Sequence, residues 1–185
     1  MAEIYDISVS ELRSYCDRLR IGDKVLLSGY IYTARDAAHK RIDALLDKGE
    51  ALPFEMDGAV IYYAGPTPAA PGKVIGSCGP TTSGRMDKFA PRLLDCGLCA
   101  MIGKGERDSS VNEAVQRNNA VYFCAIGGAG ALAASCIKSC QVIAFEDLGC
   151  ESVKKLYIEK LPVTVAVDSH GGDIFKQGRS TYCKV

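Results

Sequence analysis

Hydrophobic and polar positions change period along this chain, and each change predicts an element. Leu12, Tyr15, Cys16 and Leu19 recur three or four residues apart. Ser8-Val9-Ser10-Glu11 ahead of them fits a capping box, so the spacing predicts a helix starting there. Ile21-Gly22-Asp23 reads as a turn. From Val25 to Thr33 the period falls to two and β-forming residues dominate, which predicts a strand. Ala38, Ile42, Leu45 and Leu46 line one face of a predicted helix over 36–47. A loop over 50–58 and a short strand over 60–64 follow.

Residues 65–72 hold three prolines and two glycines, a composition that sets a fixed extended loop. Val74 and Ile75 read as a short strand meeting a turn at Gly79-Pro80. That turn delivers Thr81, Thr82, Ser83, Gly84 and Arg85 to a predicted helix start. Pro91 interrupts the apolar spacing of Met86, Phe89, Leu93 and Leu94, so a short turn is expected from about Ser83 and a helix restarting near Pro91. Strands are predicted over 98–102, 120–126, 141–145 and 163–167. Helices are predicted from a Ser109 or Ser110 cap to Gln116 and from Gly127 through Ala134; 153–157 fits either type. Strands alternating with helices from Val74 onward predict an α/β domain whose sheet is mainly parallel and covered by helices.

Length and composition narrow the class. With 185 residues and 48% hydrophobic content, the chain is expected to be one domain, 1–185, with a substantial core. Lys plus Arg and Asp plus Glu both number 22, so no net charge draws the chain to nucleic acid or to an anionic membrane. No apolar run reaches the roughly 18–20 residues of a membrane span. The acidic start Met1–Asp6 has no signal-peptide core, and a cytoplasmic location is expected.

Nine cysteines, an odd number, are expected to stay reduced there and to act mostly as small hydrophobes. Cys96-Gly97-Leu98-Cys99 could be redox-active or half of a metal site, but no second pair stands at zinc spacing. Cys136 and Cys140 lie one turn apart if their helix continues. Gly127-Gly128-Ala129-Gly130 after a strand has the look of a nucleotide loop. It lacks the full G-x-G-x-x-G and the P-loop lysine, and close helix–strand packing accounts for it equally well.

The candidate chemistry gathers at strand ends. Arg35, the Thr81-Thr82 turn and Lys104 all follow predicted strands, where ligands of α/β sheets bind. Arg35, Arg85 and Lys104 make a candidate cationic pocket, with Thr81, Thr82 and Ser83 as donors. Bidentate arginine suits planar carboxylates, and a helix start adds unpaired N–H groups. Solvated charges and a Ser/Thr-capped helix are the alternatives. His39 stands four residues after Arg35, either lining the pocket or solvated; His170 sits in a turn.

Gly-Pro-Thr-Thr-Ser-Gly-Arg-Met-Asp at 79–87, Ala-Arg-Asp-Ala-Ala-His at 34–39, Ile-Gly-Lys-Gly at 102–105 and Val-Asp-Ser-His-Gly-Gly-Asp at 167–173 resemble the iron–sulfur hydro-lyases. That family comprises class I fumarate hydratases and L-tartrate dehydratases. The resemblance covers nearly the whole chain, in order. It implies the β subunit of the two-subunit form, equivalent to the C-terminal domain of single-chain members. The implied fold is a swivelling β/β/α domain with a central mixed, largely parallel sheet flanked by helices. The implied reaction is reversible hydration of fumarate to malate, with L-tartrate dehydration or a non-catalytic carboxylate-binding module as alternatives. By motif, Thr81 and Arg85 would be catalytic, with Thr81 as base. Arg35, Thr82 and Lys104 would bind the dicarboxylate. The 4Fe–4S cluster is expected on a partner α subunit, no metal ligand is expected on this chain, and self-association into a homodimer is an open alternative.

Overall fold

The computed structural model describes residues 4–183. The chain opens with strand β1 (Ile4–Ser8), a 3-10 turn and the short helix α1 (Leu12–Tyr15). Strand β2 (Lys24–Thr33) and helix α2 (Asp36–Lys48) follow, then β3 (Val60–Tyr62), α3 (Ala90–Asp95), β4 (Ala100–Gly103), α4 (Ser109–Arg117) and β5 (Val121–Cys124). The last third contains α5 (Gly130–Cys136), β6 (Ile137–Ala144), β7 (Val153–Val167) and α6 (Ile174–Tyr182). The sheet order is β1-β2-β3-β4-β5-β7-β6, with β7 also paired to β2. That second pairing closes β2-β3-β4-β5-β7 into a ring.

The mainly parallel expectation holds from β1 to β5, whose neighbours all run parallel. It fails at β7, which is antiparallel to β2, β5 and β6. The expected separate segments 153–157 and 163–167 are one fifteen-residue strand. Lys-Leu-Pro at 160–162 disguises its continuity. Lys160 has positive φ (50°), and the β2 register shifts between Leu27 and Gly29 opposite it. This bulge bends β7 so that its first half pairs with β6 and its second half with β5.

Alternate strand residues enter two cores. Val60, Ile102, Phe123 and Val165 pack with Leu12 and Cys16 near α1. Ile61, Met101 and Tyr122 pack with Ile42 of α2, Leu94 of α3 and Val111 of α4. Being buried on both faces, β3 and β4 carry apolar runs without a polar face.

Several local expectations are corrected. Ser8 forms no cap; its hydroxyl lies 2.8 Å from that of Ser10. Asp108, not Ser109 or Ser110, caps α4 by accepting from the Val111 N–H at 3.0 Å. Val74 and Ile75 form no strand, since the Pro/Gly loop around them offers no ladder partner. Strand β1 and helix α6 were not foreseen. Asp173 caps α6 through the N–H groups of Phe175 and Lys176, at 2.9 and 3.2 Å.

Candidate functional site

The carboxyl ends of β2, β3, β4 and β5 face the same end of the ring, and the candidate residues line that rim. Arg35 stands between β2 and α2, extended at φ −122°. Its guanidinium pairs with Glu151, Nη2 to Oε1 at 3.2 Å, and lies over Gly65, where an added Cβ would come within 2.7 Å of Nη1. The other Glu151 oxygen accepts from the Ala37 N–H at 3.1 Å, an anion at the first turn of α2. Asp36 holds Arg85: Nε donates to Oδ1 at 2.8 Å and Nη2 pairs with Oδ2 at 2.8 Å. The two arginines are thus tied to neighbouring positions at one helix start.

Residues 80–82, bridged to Ala64 and Lys104, form a strap over the ends of β3 and β4 and lead into a turn at Ser83. The Thr81 N–H donates to the Tyr63 carbonyl at 2.7 Å, and Thr82 bridges to Lys104. The Ser83 N–H donates to the Lys104 carbonyl at 2.9 Å, and the Lys104 N–H donates to Ser83 Oγ at 3.0 Å. The strap passes close over Gly103, where a Cβ would stand 1.9 Å from Ser83 Oγ. The fold therefore brings Arg35, Thr81, Thr82, Arg85 and Lys104 to one rim. Thr82, Arg85 and Lys104 are exposed; Arg35 and Thr81 are half-buried. Among the described residues Lys104 has no ion-pair partner, so it supplies the rim's uncompensated positive charge.

The short turn expected from about Ser83 is a four-residue 3-10 turn, Ser83–Met86, with no side-chain cap. Ser83 Oγ is engaged with Lys104 and Tyr122 instead. A turn this short has little macrodipole, so anion recognition rests on the side chains. The true helix, α3, starts later, with Pro91 in its first turn as the spacing predicted.

A buried ion pair lies under the strap, and sequence reasoning missed it. Arg107 Nε donates to Asp87 Oδ1 at 2.6 Å, and the Asp108 N–H donates to Asp87 Oδ2 at 2.8 Å. The Arg107 guanidinium carbon sits 5.3 Å from the ring centre of Tyr63 and 4.9 Å from that of Tyr122. Burial opposes its charge, but the Asp87 carboxylate and the two ring faces favour it, and its pKa rises above the usual arginine value. Asp87 follows Arg85 by two residues and Arg107 follows Lys104 by three, so the pair joins the two segments carrying the site. Asp36 and Glu151 were missed as well. The short spacings of Asp36 to Arg35 and of Asp87 to Arg85 were the available signals.

His39 does not line the rim. It is fully buried, its Nδ1 2.9 Å from the Arg35 carbonyl and its ring 5.3 Å from that of Tyr63. A carbonyl only accepts, so Nδ1 carries the proton of a neutral imidazole. Burial pushes its pKa from the usual 6.5 down to about 4. Above pH 6.5 it is neutral in both the folded and unfolded chain. Between 6.5 and 4 only the unfolded chain takes the proton, so stability falls as pH drops, by about 3 kcal/mol in all. NMR of the ring should find no titration of His39 from pH 8 to pH 5; a midpoint above 6 would contradict this burial. His170 is structural, its Nε2 2.9 Å from the Asp17 carbonyl. Around it, Asp168 accepts from the N–H groups of Ile21, His170 and Gly172, each at 2.9 Å.

The thiols do not form the pairs that spacing suggested. Cys96 is exposed while Cys99 is buried, with its sulfur 3.7 Å from that of Cys16. Cys136 ends α5 and Cys140 lies within β6, so no helical turn relates them. Gly130 packs on Gly79, where an added Cβ would meet the Gly79 nitrogen at 3.0 Å, and close packing accounts for the small residues there. Among the described residues no three His, Cys, Asp or Glu side chains converge as metal ligands would. No described helix is long and apolar enough to cross a membrane.

Comparison with known proteins agrees with this arrangement over nearly its whole length. Residues 2–178 match the family model described as Fumarase C-terminus. The aerobic class I fumarate hydratase of Salmonella typhimurium is 35% identical over 177 residues, which is 95% of this chain and 30% of that protein. A candidate L(+)-tartrate dehydratase subunit beta of Methanocaldococcus jannaschii is 37% identical over 166 residues, 86% of this chain and 85% of that one. The L(+)-tartrate dehydratase subunit beta of Escherichia coli is 28% identical over 171 residues, with 84% of it covered. The chain thus spans under a third of the fumarate hydratase but most of each beta subunit. Matched from its first strand into its last helix, and over most of the length of the beta subunits, the chain belongs to the fumarase C-terminus family.

Proposed function

We propose that this chain, as a single domain of the swivelling β/β/α type, is the β subunit of a two-subunit hydro-lyase that interconverts fumarate and malate. The rim geometry carries the reading: two arginines, two threonines and a free lysine on the ends of adjacent strands. Arg85 is fixed through Nε and Nη2 by Asp36, leaving its remaining N–H groups for a substrate carboxylate. Arg35, held by Glu151, and exposed Lys104 supply charge for the second carboxylate. Thr82 donates from the strap. Thr81 takes the proton from the carbon that loses it. A threonine hydroxyl is too weak a base in water, so it must pass its own proton on. Among the described residues no side chain hydrogen-bonds that hydroxyl, so the acceptor comes from the partner.

The 4Fe–4S cluster that the resemblance implies does not fit this chain. Among the described residues no three His, Cys, Asp or Glu side chains converge as metal ligands would. The cluster belongs to the α subunit in this reading, and no step here runs through it. The test is anaerobic turnover of fumarate and of L-tartrate, by this chain alone and by its mixture with a cluster-loaded α subunit. Turnover of fumarate by the mixture only is the expected result. Preference for L-tartrate would keep the chemistry and replace the substrate. Turnover by this chain alone would overturn the split site.

A further inference from the structure

The rim does not end at Lys104. The next strand, β5, runs out into Ile126, an isoleucine 71% exposed, and α5 adds Leu132, 51% exposed. Both border one apolar depression with Pro80, Ala129 and Pro162. Pro80 directly precedes Thr81. The Lys104 stem passes Gly127, where an added Cβ would touch Cδ at 3.6 Å, and Gly79 packs on Gly130. The apolar surface therefore begins where the charged rim stops. Two large exposed aliphatic side chains around one depression, with no polar cover of their own, mark a surface that meets another protein.

We propose that Ile126 and Leu132 anchor the α subunit, seating it against the open side of the rim. This rests on the functional reading above. The observations choose this occupant over a second copy of the chain. The fumarate hydratase relative holds the matched region in 30% of its length, whereas the beta-subunit relatives are 84–85% covered. In the beta-subunit organisation, therefore, the larger remainder is a different polypeptide. A second copy seated on this patch across a two-fold axis would bring its own uncompensated Lys104, whose stem lies beside Gly127, toward the first, opposing like charges. The α subunit supplies the missing wall and the missing acceptor together, with the apolar contact excluding water at the edge of the site.

The test uses full-length chain and the chain from the same source that matches the larger part of class I fumarate hydratases, loaded anaerobically. Affinity is read by titration calorimetry and assembly by light scattering after size exclusion. Ile126→Glu and Leu132→Glu should each weaken assembly at least about 30-fold. Ile4→Glu should leave it unchanged; Ile4 is 72% exposed but pairs with Lys24 at the opposite end of β2. Ile126→Ser, a milder change, should weaken assembly with the melting temperature unaltered. Assembly of Ile126→Glu within threefold of wild type would overturn the proposal. So would wild-type chain that self-associates through Ile126 while the α chain binds unimpeded. A complex that assembles through Ile126 yet turns over neither dicarboxylate would leave this surface standing and sink the functional reading.

Discussion

Replacing Arg85 by alanine is expected to lower kcat/KM for fumarate by about 100- to 10,000-fold in the assembled enzyme while leaving the fold intact. The two halves of this expectation come from different places on the side chain. Toward the protein, Arg85 makes a surface ion pair with Asp36, the two side chains 50% and 32% exposed. Such pairs contribute about 0–1 kcal/mol, so alanine costs little stability. Toward the substrate, in the site proposed above, the variant would lose two charge-assisted hydrogen bonds, each worth about 1.5–3 kcal/mol. At 1.4 kcal/mol per tenfold, their joint loss gives the stated range. Arg85→Lys should recover little, because an ammonium cannot reproduce the fork. Normal turnover by a folded, assembled Arg85→Ala enzyme would remove Arg85 from the site and take the strap geometry with it.

The elements that sequence reading found were those whose own residues dictate them. β2 alternates, α2 has a clear apolar face, and Pro91 marks a first helical turn in the chain as it does in the structure. Closure of the sheet was hidden because β7 is decided by its partners. Lys160 and Pro162 break its pattern locally, and only the paired register across from Gly29 turns that break into a bulge. The Thr81–Arg85 stretch shows the converse. Its residue types pointed to a carboxylate site, but the strand expected to lead into it does not form, and the stretch reaches the ends of β3 and β4 from a loop. Its backbone is a strap leading into the short turn expected from about Ser83, because Lys104 supplies from another strand the hydrogen bonds a helix would have made. The partners of the arginines were illegible for the same reason. Glu151 lies far along the chain from Arg35, and nothing in its own surroundings announces that it comes near. His39 was misread because a helical face says which residues share it, not which part of that face the fold buries.

Arg107→Ala should destabilise the chain by about 3–5 kcal/mol, a large share of the roughly 5–15 kcal/mol that holds most domains folded. The Arg107 side chain has no solvent exposure, and that of Asp87 has 10%. Alanine would leave the Asp87 carboxylate buried with only the Asp108 N–H, and a buried charge without its counter-ion is costly. It would also empty the space between the Tyr63 and Tyr122 rings. The expected melting temperature is about 10 °C lower. The cause is separable from lost packing. Arg107→Met with Asp87→Asn removes both charges, keeps an acceptor for the Asp108 N–H and fills the volume, so it should regain at least half of the loss. Arg107→Met alone fills the same volume but leaves the Asp87 charge unpaired, so urea melts of it beside the double variant measure the charge at nearly constant volume. If Arg107→Ala melted within 2 °C of wild type, the pair would be no clamp between the strap and the Lys104 segment. If it melted early and the double variant gained nothing, the ring stacking rather than the buried charge would be holding those two segments together.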